Sequence, residues 1–468
     1  MNFNSGAFLI FLPAAVIVHW LLPHKLRRFW LLAASWFFYM YWNPLLILLL
    51  IASTAVDYCC GLGMEAHREQ PKARKALLLV SICMNLGLLF FFKYWNFFGD
   101  TAGSLFALLG IGWRPPALDL ILPVGISFYT FQTMSYPIDV YRGDATIQRN
   151  FISFGTFVAL FPQLIAGPIV RYKDIASQLD FRAGGVDQFA SGVRRFTVGL
   201  GKKVLIANNI GALWDIYAAK APGELTVLGS WLGILAFSLQ IYFDFSGYSD
   251  MAIGLGRMLG FEFLENFNYP YISKSVTEFW RRWHMSLGTW FRDYVYIPLG
   301  GNRKGPWRQI FNLLIVWALT GFWHGANWTF LCWGLYYAVF LIIEKLFLLK
   351  GLKRVPVIAT IYTLLVAVCG WVLFDLPSLS AAGAYYSAMF GFGGGGVAAA
   401  NDLFYLKEYA LVFVVCILAC LPLGKKLYDR LSDKIKACVT PVLILLVLAV
   451  STAYLVDATY NPFLYFRF

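Results

Sequence analysis

Two histidines about forty residues apart, His284 and His324, have unusual neighbours for ionisable side chains. His324 lies in Gly-Phe-Trp-His-Gly, between two strongly apolar runs. An ionisable group at membrane depth is costly and usually functional. A neutral imidazole suits a general base that takes a proton from a hydroxyl, and partial desolvation favours the neutral form. The alternative is a structural histidine that hydrogen-bonds between helices.

His284 belongs to a stretch rich in Trp and Arg that runs from Glu278 to Asp293. The pattern predicts one amphipathic helix. Trp and Arg are typical of the membrane–water interface, so an interfacial belt is one interpretation. The other is a cytosolic mouth at which Arg281 and Arg282 meet the phosphates of a thioester carrier.

The elements that carry these residues are predicted to be membrane helices. Of the 468 residues, 59% are hydrophobic and only 13% charged, and the mean hydropathy is +0.64. Continuous apolar runs without strand-like alternation predict helices, which satisfy their own backbone in lipid. Ten such runs stand out: Phe8–Trp20, Phe29–Trp42, Leu45–Leu62, Ala76–Phe92, Trp231–Phe243, Ile310–Phe322, Phe330–Ile343, Val357–Phe374, Tyr409–Leu423 and Val442–Leu455.

Basic residues predict the orientation of the chain. Lys25, Arg27 and Arg28 follow the first apolar run, so their loop is expected in the cytoplasm and the N-terminus on the outer side. The last span would place the C-terminus on the outer side as well. This topology accounts for the net charge of +13, and no nucleic-acid partner is expected.

The chain is expected to form a single integral-membrane domain with three parts. Residues 1–115 and 346–468 have the composition of helical hairpins, the latter with a periplasmic tail. Residues 116–345 are interrupted by Gly, Pro and polar groups at membrane-like depth. Such breaks persist only where protein or a water-filled cavity surrounds them, which predicts a cavity-lining core.

Neither a metal nor a permanently bound cofactor is expected. The eight cysteines show no zinc-ligand spacing with histidines. The glycine run at 391–396 lacks the Lys-Ser/Thr that completes a phosphate loop.

An ordered series of motifs resembles the membrane-bound O-acyltransferase superfamily, in its bacterial alginate O-acetylation branch. Trp-Arg-Arg-Trp-His ends at His284, and Trp-His-Gly contains His324. Any single motif is weak, but the series covers essentially the whole chain. The supporting stretches are Leu122–Gln132, Pro162–Arg171, Tyr242–Asp250, Asn266–Tyr271, Arg292–Asn302 and Tyr460–Phe468.

This resemblance implies an all-α polytopic fold, with a ring of roughly 11–12 spanning helices and re-entrant helices around a catalytic tunnel. His324 corresponds to the near-invariant catalytic histidine, and His284 to a position that is often Asn in animal relatives. An acyl group would move from a cytosolic thioester, acetyl-CoA in this branch, to an acceptor hydroxyl. Substrate or donor contacts are expected at Arg281, Arg282, Trp283, Trp323 and Asn327.

The segment Phe463–Phe468 is similar to the tail of a small companion protein of the D-alanylation system, in which a tyrosine is proposed to carry the acyl group. By that resemblance Tyr465 is a transient acyl acceptor activated by His324. An interfacial aromatic anchor is the alternative.

The resemblance also implies a location in the bacterial inner membrane, with both termini in the periplasm. It implies partners beside membrane lipid as well. These are a periplasmic SGNH or esterase-like acetyltransferase and the machinery that exports the polysaccharide. The rival function is a secondary transporter or polymer-export subunit, for which broken helices at mid-membrane are also expected. The sequence leaves the identity of the polymer open.

Overall fold

The computed structural model describes residues 1, 3, 5–180, 182, 184–457, 463 and 464. Within these residues every regular element is a helix, which confirms the predicted all-α class. The first half contains α1 (Gly6–Leu21), α2 (His24–Met40), α3 (Ile47–Ala66), α4 (Pro71–Leu89), α5 (Trp95–Leu108), α6 (Ile126–Arg142), α7 (Phe151–Ala159), α8 (Phe161–Leu164), α9 (Tyr172–Asp180), α10 (Val186–Gly201) and α11 (Asn208–Ala218). The second half contains α12 (Val227–Met258), α13 (Val276–Arg282), α14 (Met285–Phe291), α15 (Pro306–His324), α16 (Trp328–Ile343), α17 (Leu349–Leu352), α18 (Pro356–Asp375), α19 (Leu379–Met389), α20 (Ala400–Glu408), α21 (Ala410–Ala419), α22 (Leu423–Arg430) and α23 (Asp433–Asp457).

Short helices of other types interrupt or extend this series. Two 3₁₀ turns occur at Pro222–Glu224 and Pro270–Ile272. Four π-helical segments lie at Phe90–Tyr94, Lys202–Ala207, Arg292–Tyr296 and Glu344–Leu348. A π-helical turn re-aims side chains within a helix and is frequent at functional sites.

The chain divides into two compact units. Unit 1 contains residues 1–193 and 252–264, and unit 2 contains residues 194–251 and 265–468. In unit 1, the carboxylate of Asp57 is buried among α3, α4 and α6, where it accepts hydrogen bonds from Ser81 and Asn85. Unit 2 has an aromatic core built from α11 to α13, α16, α18, α19 and α21.

Six helices of the described chain are long and apolar enough to cross a membrane, and the bent pair α21 and α22 would make a seventh. The chain is therefore a multi-pass membrane protein, as predicted. The ten apolar runs coincide with helices, although the run Tyr409–Leu423 bends by 61° between α21 and α22. The ring of roughly 11–12 spans around a tunnel stays a prediction, since several of these helices are shorter than a spanning segment.

The polar stretch around Asp244 lies within α12, a continuous helix of 32 residues. It is thus a polar helix and not a broken one. Gly247 on α12 lies against the carbonyl oxygen of Gly199 on α10. Small residues allow two helices to approach so closely, which is how helices commonly associate in membranes.

The hairpin of α15 and α16 is held by an equally close contact. A Cβ atom added to Gly321 would overlap the carbonyl oxygen of Phe330, and one added to Gly334 would overlap that of Trp317. Backbone therefore packs on backbone along this pair. Because α15 ends at His324, the crossing fixes the position of that histidine.

We expect the substitution Gly321→Ala to destabilise the protein by about 1–3 kcal/mol, since backbone atoms cannot move aside for the added methyl group. The thermal unfolding midpoint of the purified protein in detergent measures this effect. Gly383→Ala on α19 is the control, because nothing lies within 4 Å of its added Cβ. A native midpoint in Gly321→Ala would contradict the close crossing.

Candidate active site

His324 is the last residue of α15 and is 6% exposed. The next residue, Gly325, is extended, with φ −163°, so the helix stops there. Asn327 then begins α16: its Oδ1 accepts the Thr329 N–H at 3.1 Å and its Nδ2 donates to the Pro377 carbonyl at 2.9 Å. The turn that carries His324 is therefore fixed on both sides.

Three aromatic rings surround the imidazole of His324 edge to face. Their centroids lie 4.9 Å away for Trp323, 5.0 Å for Trp333 and 5.2 Å for Phe374. Such packing restricts the rotamer of the ring and keeps bulk water from it.

A narrow cavity opens beside His324 within unit 2. Seven of its nine lining residues are apolar or aromatic, and the two polar ones are His324 and Asp244. The apolar members are Ile241, Phe245, Trp283, Trp333, Trp371, Phe374 and Leu464. A basic group in a largely dry cavity can act on a reactive acyl group while water is excluded.

The predicted single helix around His284 is wrong: α13 and α14 are separate helices of seven residues each. His284 lies between them in the left-handed backbone conformation, with φ 44°. The physical reason is a long-range contact, because the backbone of Asn266 accepts the Met285 N–H at 2.9 Å. A non-glycine residue in this conformation costs free energy that the surrounding contacts must offset.

The side chain of Asn266 fixes the tautomer of His284. Its Oδ1 accepts the Ser286 backbone N–H at 3.3 Å and the Ser286 hydroxyl at 2.9 Å, which identifies that atom as the oxygen. The same oxygen lies 3.1 Å from Nδ1 of His284. Because this oxygen can only accept, Nδ1 carries the proton and Nε2 the lone pair. His284 lies outside the spanning helices, and burial lowers its pKa to about 3, so the ring is neutral at pH 7.

The structure brings the two predicted histidines to one aromatic ring. Trp323 lies 4.9 Å from His324 and 5.9 Å from His284, measured between centroids. Phe245, which lines the cavity, also contacts His284 at 4.7 Å. His284 and Trp323 thus pack against Phe245 and His324, which line the cavity.

The predicted donor-contact residues have different surroundings. Arg281 is exposed. Arg282 forms an ion pair with Glu278 at 2.8 Å and donates a hydrogen bond to the carbonyl of Asn268 at 3.1 Å. Trp283 is buried and lines the cavity, and Trp323 is buried between the histidines.

The helix that carries Arg281 and Arg282 is held at its start by a buried carboxylate. Glu344 accepts the N–H groups of Val276 and Thr277 at 2.6 and 2.8 Å. These N–H groups have no partner within the helix, and the positive end of the helix dipole favours the negative charge.

The sequence reasoning missed a buried ion pair at the same cavity. Nζ of Lys203 lies 2.5 Å from Oδ1 of Asp244, and the two side chains are 1% and 2% exposed. Lys203 belongs to the π-helical segment Lys202–Ala207. The available signal was an acidic residue directly after the apolar run Trp231–Phe243 and a basic residue directly before the apolar residues 204–207, but the sequence does not show that the two residues pair.

The segment Phe463–Leu464, called the tail segment below, binds at this ion pair. The Leu464 N–H donates to Oδ2 of Asp244 at 2.9 Å. The Phe463 ring lies 4.8 Å from Nζ of Lys203 and 4.7 Å from the ring of Tyr248. Tyr465, the predicted acyl acceptor, lies outside the described residues.

Comparison with known proteins identifies the family of the chain. A model of MBOAT, the membrane-bound O-acyltransferase family, matches residues 148–350, which include both histidines. The chain is 41% identical to a probable alginate O-acetylase of Pseudomonas putida, with 100% of each protein covered. It is 45% identical to the probable alginate O-acetylase of Pseudomonas aeruginosa, over 84% of this chain and 75% of that protein. It is 34% identical to the peptidoglycan O-acetyltransferase of Helicobacter pylori, over 84% of this chain and 80% of that protein.

Proposed function

Because the chain belongs to the membrane-bound O-acyltransferase family, we propose that it moves an acetyl group from a cytosolic thioester across the inner membrane for O-acetylation of an exported polysaccharide. The observation that carries this proposal is that His324, which lies in the family-matched region, is buried beside a narrow aromatic cavity. The alginate and peptidoglycan O-acetylating relatives support an exported glycan as the final acceptor.

His324 acts as the general base of the transfer. Its imidazole takes the proton of an acceptor hydroxyl while that oxygen attacks the thioester carbonyl carbon. The tetrahedral intermediate then collapses, the carbon–sulfur bond breaks, and the leaving thiolate takes up the proton from the imidazolium. The products are an acetyl ester and the free thiol of coenzyme A.

The aromatic walls protect this reaction from hydrolysis. Water that reached the activated carbonyl would compete with the hydroxyl for the acetyl group. Trp333, Trp371 and Phe374 line the cavity and are all nearly fully buried. Exclusion of bulk water also strengthens each electrostatic interaction within the cavity.

Acetyl-CoA is the donor, and it approaches from the cytosolic side near Arg281. A guanidinium group binds phosphate oxygens through paired hydrogen bonds, and Arg281 is exposed and available to them. Arg282 holds Glu278, and Trp283 lines the route toward His324. His284 positions Trp323, while Asn327 holds the turn that follows His324.

Tyr465 is the acceptor hydroxyl within the chain, and its acetyl ester is the form in which the group leaves the cavity. Support comes from its neighbour Leu464, which lines the cavity with His324. A tyrosine hydroxyl has a reference pKa of about 10, so it needs a base nearby to become a nucleophile. A periplasmic esterase-like acetyltransferase of the SGNH type, working with the export machinery, then transfers the group to the polymer. This order of steps requires the C-terminus to lie in the periplasm, and we propose that the N-terminus lies there as well.

We expect His324→Ala to abolish polymer acetylation, because loss of a general base lowers the rate by about a hundredfold or more. The measurement is hydroxylamine-labile acetyl ester on the surface polysaccharide of a deletion strain that carries each variant. His67→Ala, in an exposed loop, is the control and should restore the native ester level. Membrane levels of each protein are checked by immunoblot. Equal ester in the native and His324→Ala strains would remove His324 from the chemistry and favour an export subunit.

We expect Tyr465→Phe to lose ester formation in the same strain, since the ring remains while the nucleophilic oxygen is lost. Tyr454→Phe is the matched control, because Tyr454 is 45% exposed on α23, away from the cavity residues. A native ester level in Tyr465→Phe would show that the tyrosine carries no acyl group. It would favour the alternative in which Tyr465 is an interfacial aromatic anchor.

A further inference from the structure

The Lys203–Asp244 pair is buried at a place where charge is costly. Asp244 lies in α12, a helix apolar enough to span the membrane, and both side chains are at most 2% exposed. Replacement of a buried ion pair by apolar residues of similar volume is often neutral or stabilising. Stability alone is therefore a weak reason for such a pair, and charges within spanning segments are usually functional.

The contacts of the pair show what it holds. One oxygen of Asp244 binds Lys203, and the other accepts the backbone N–H of Leu464. The ammonium of Lys203 lies over the ring of Phe463, at a distance typical of a cation–π interaction. Both members of the pair thus contact the tail segment, across more than 200 residues of sequence.

The tail segment reaches the catalytic cavity through this attachment. Asp244, Leu464 and His324 line the same cavity. The hydrogen bond at Leu464 is made by the backbone, so it fixes the path of the chain and not the identity of the side chain. Phe463 adds a side-chain contact, because its ring lies against both Lys203 and Tyr248.

We propose that Lys203 and Asp244 are positioning residues that dock the tail segment, which precedes the proposed acceptor Tyr465 in the sequence, at the His324 cavity. The inference rests on the proposed function for the role of Tyr465, whereas the docking itself rests only on the described contacts. Lys203 neutralises Asp244, and Asp244 in turn holds the backbone of the acceptor segment. The pair takes no part in breaking or forming covalent bonds.

The test uses a double variant, Lys203→Met with Asp244→Leu, in the full-length protein. Removing both charges together leaves no unpaired charge in the core, so the variant is expected to fold with a native-like unfolding midpoint. It lacks the acceptor for the Leu464 N–H. Hydrogen exchange read by mass spectrometry should show this amide exchanging about tenfold faster or more, as expected for a lost hydrogen bond to a charged acceptor.

Ester formation is measured in parallel in the deletion strain. We expect the double variant to fall to the background level although it is folded and present in the membrane. A structural pair without a docking role would leave both the exchange of Leu464 and the ester level unchanged. A native exchange rate at Leu464 or a native ester level, measured in the folded double variant, would overturn the proposal.

Two further variants keep the test specific. Lys202→Met is the matched control: Lys202 is the adjacent lysine and pairs with Asp250 at 2.7 Å, which Arg195 also binds at 2.6 Å. It should retain native exchange and native ester. Phe463→Leu keeps the ion pair but removes the ring over Lys203, and should lower ester formation about fivefold. Full activity in Phe463→Leu would overturn the part assigned to the ring.

Failure of the proposed function gives a different result. If native protein formed no His324-dependent ester while Leu464 stayed protected through Asp244, docking would stand and the acyl-transfer role would fall. Two results together would support both proposals. His324→Ala would lose ester while its Leu464 amide stayed protected from exchange, and the double variant would lose both the ester and that protection.

Discussion

The need to pair buried carboxylates within apolar surroundings determines how unit 2 is built around His324. Asp244 can lie within α12 because Lys203 and the backbone of Leu464 satisfy its two oxygens. Glu344 can be buried because the start of α13 supplies N–H donors. An unpaired carboxylate in such a place would be strongly destabilising. Each pairing thus fixes one wall or support of the cavity.

Close backbone contact gives the site its rigidity. The Gly321 and Gly334 crossing joins α15 to α16 without intervening side chains, and α15 ends in His324. The aromatic rings around His324 then fill the remaining space. An imidazole held in one rotamer, in a cavity too narrow for bulk water, fits the proposed transfer between a thioester and a hydroxyl, in which hydrolysis is the competing reaction.

Much of this account could be predicted from sequence, because an ionisable residue stands out in an apolar run. His324 stands out in that way, His284 stands out by its Trp- and Arg-rich neighbours, and the apolar runs locate the helices. What could not be predicted depends on contacts between distant residues. The break at His284 is set by Asn266, eighteen positions earlier. The docking of Leu464 on Asp244 joins residues 220 positions apart, and no local pattern encodes it.

The most direct test of the account is the fate of acetyl-CoA on the purified full-length protein in lipid nanodiscs. After incubation with radiolabelled acetyl-CoA, the protein is cleaved and its C-terminal fragment is examined for hydroxylamine-labile acetyl ester. The account predicts labelled ester on that fragment of the native protein, with release of free coenzyme A, and none on His324→Ala. Acetyl-CoA left intact by the native protein, or equal labelling of both proteins, would contradict it.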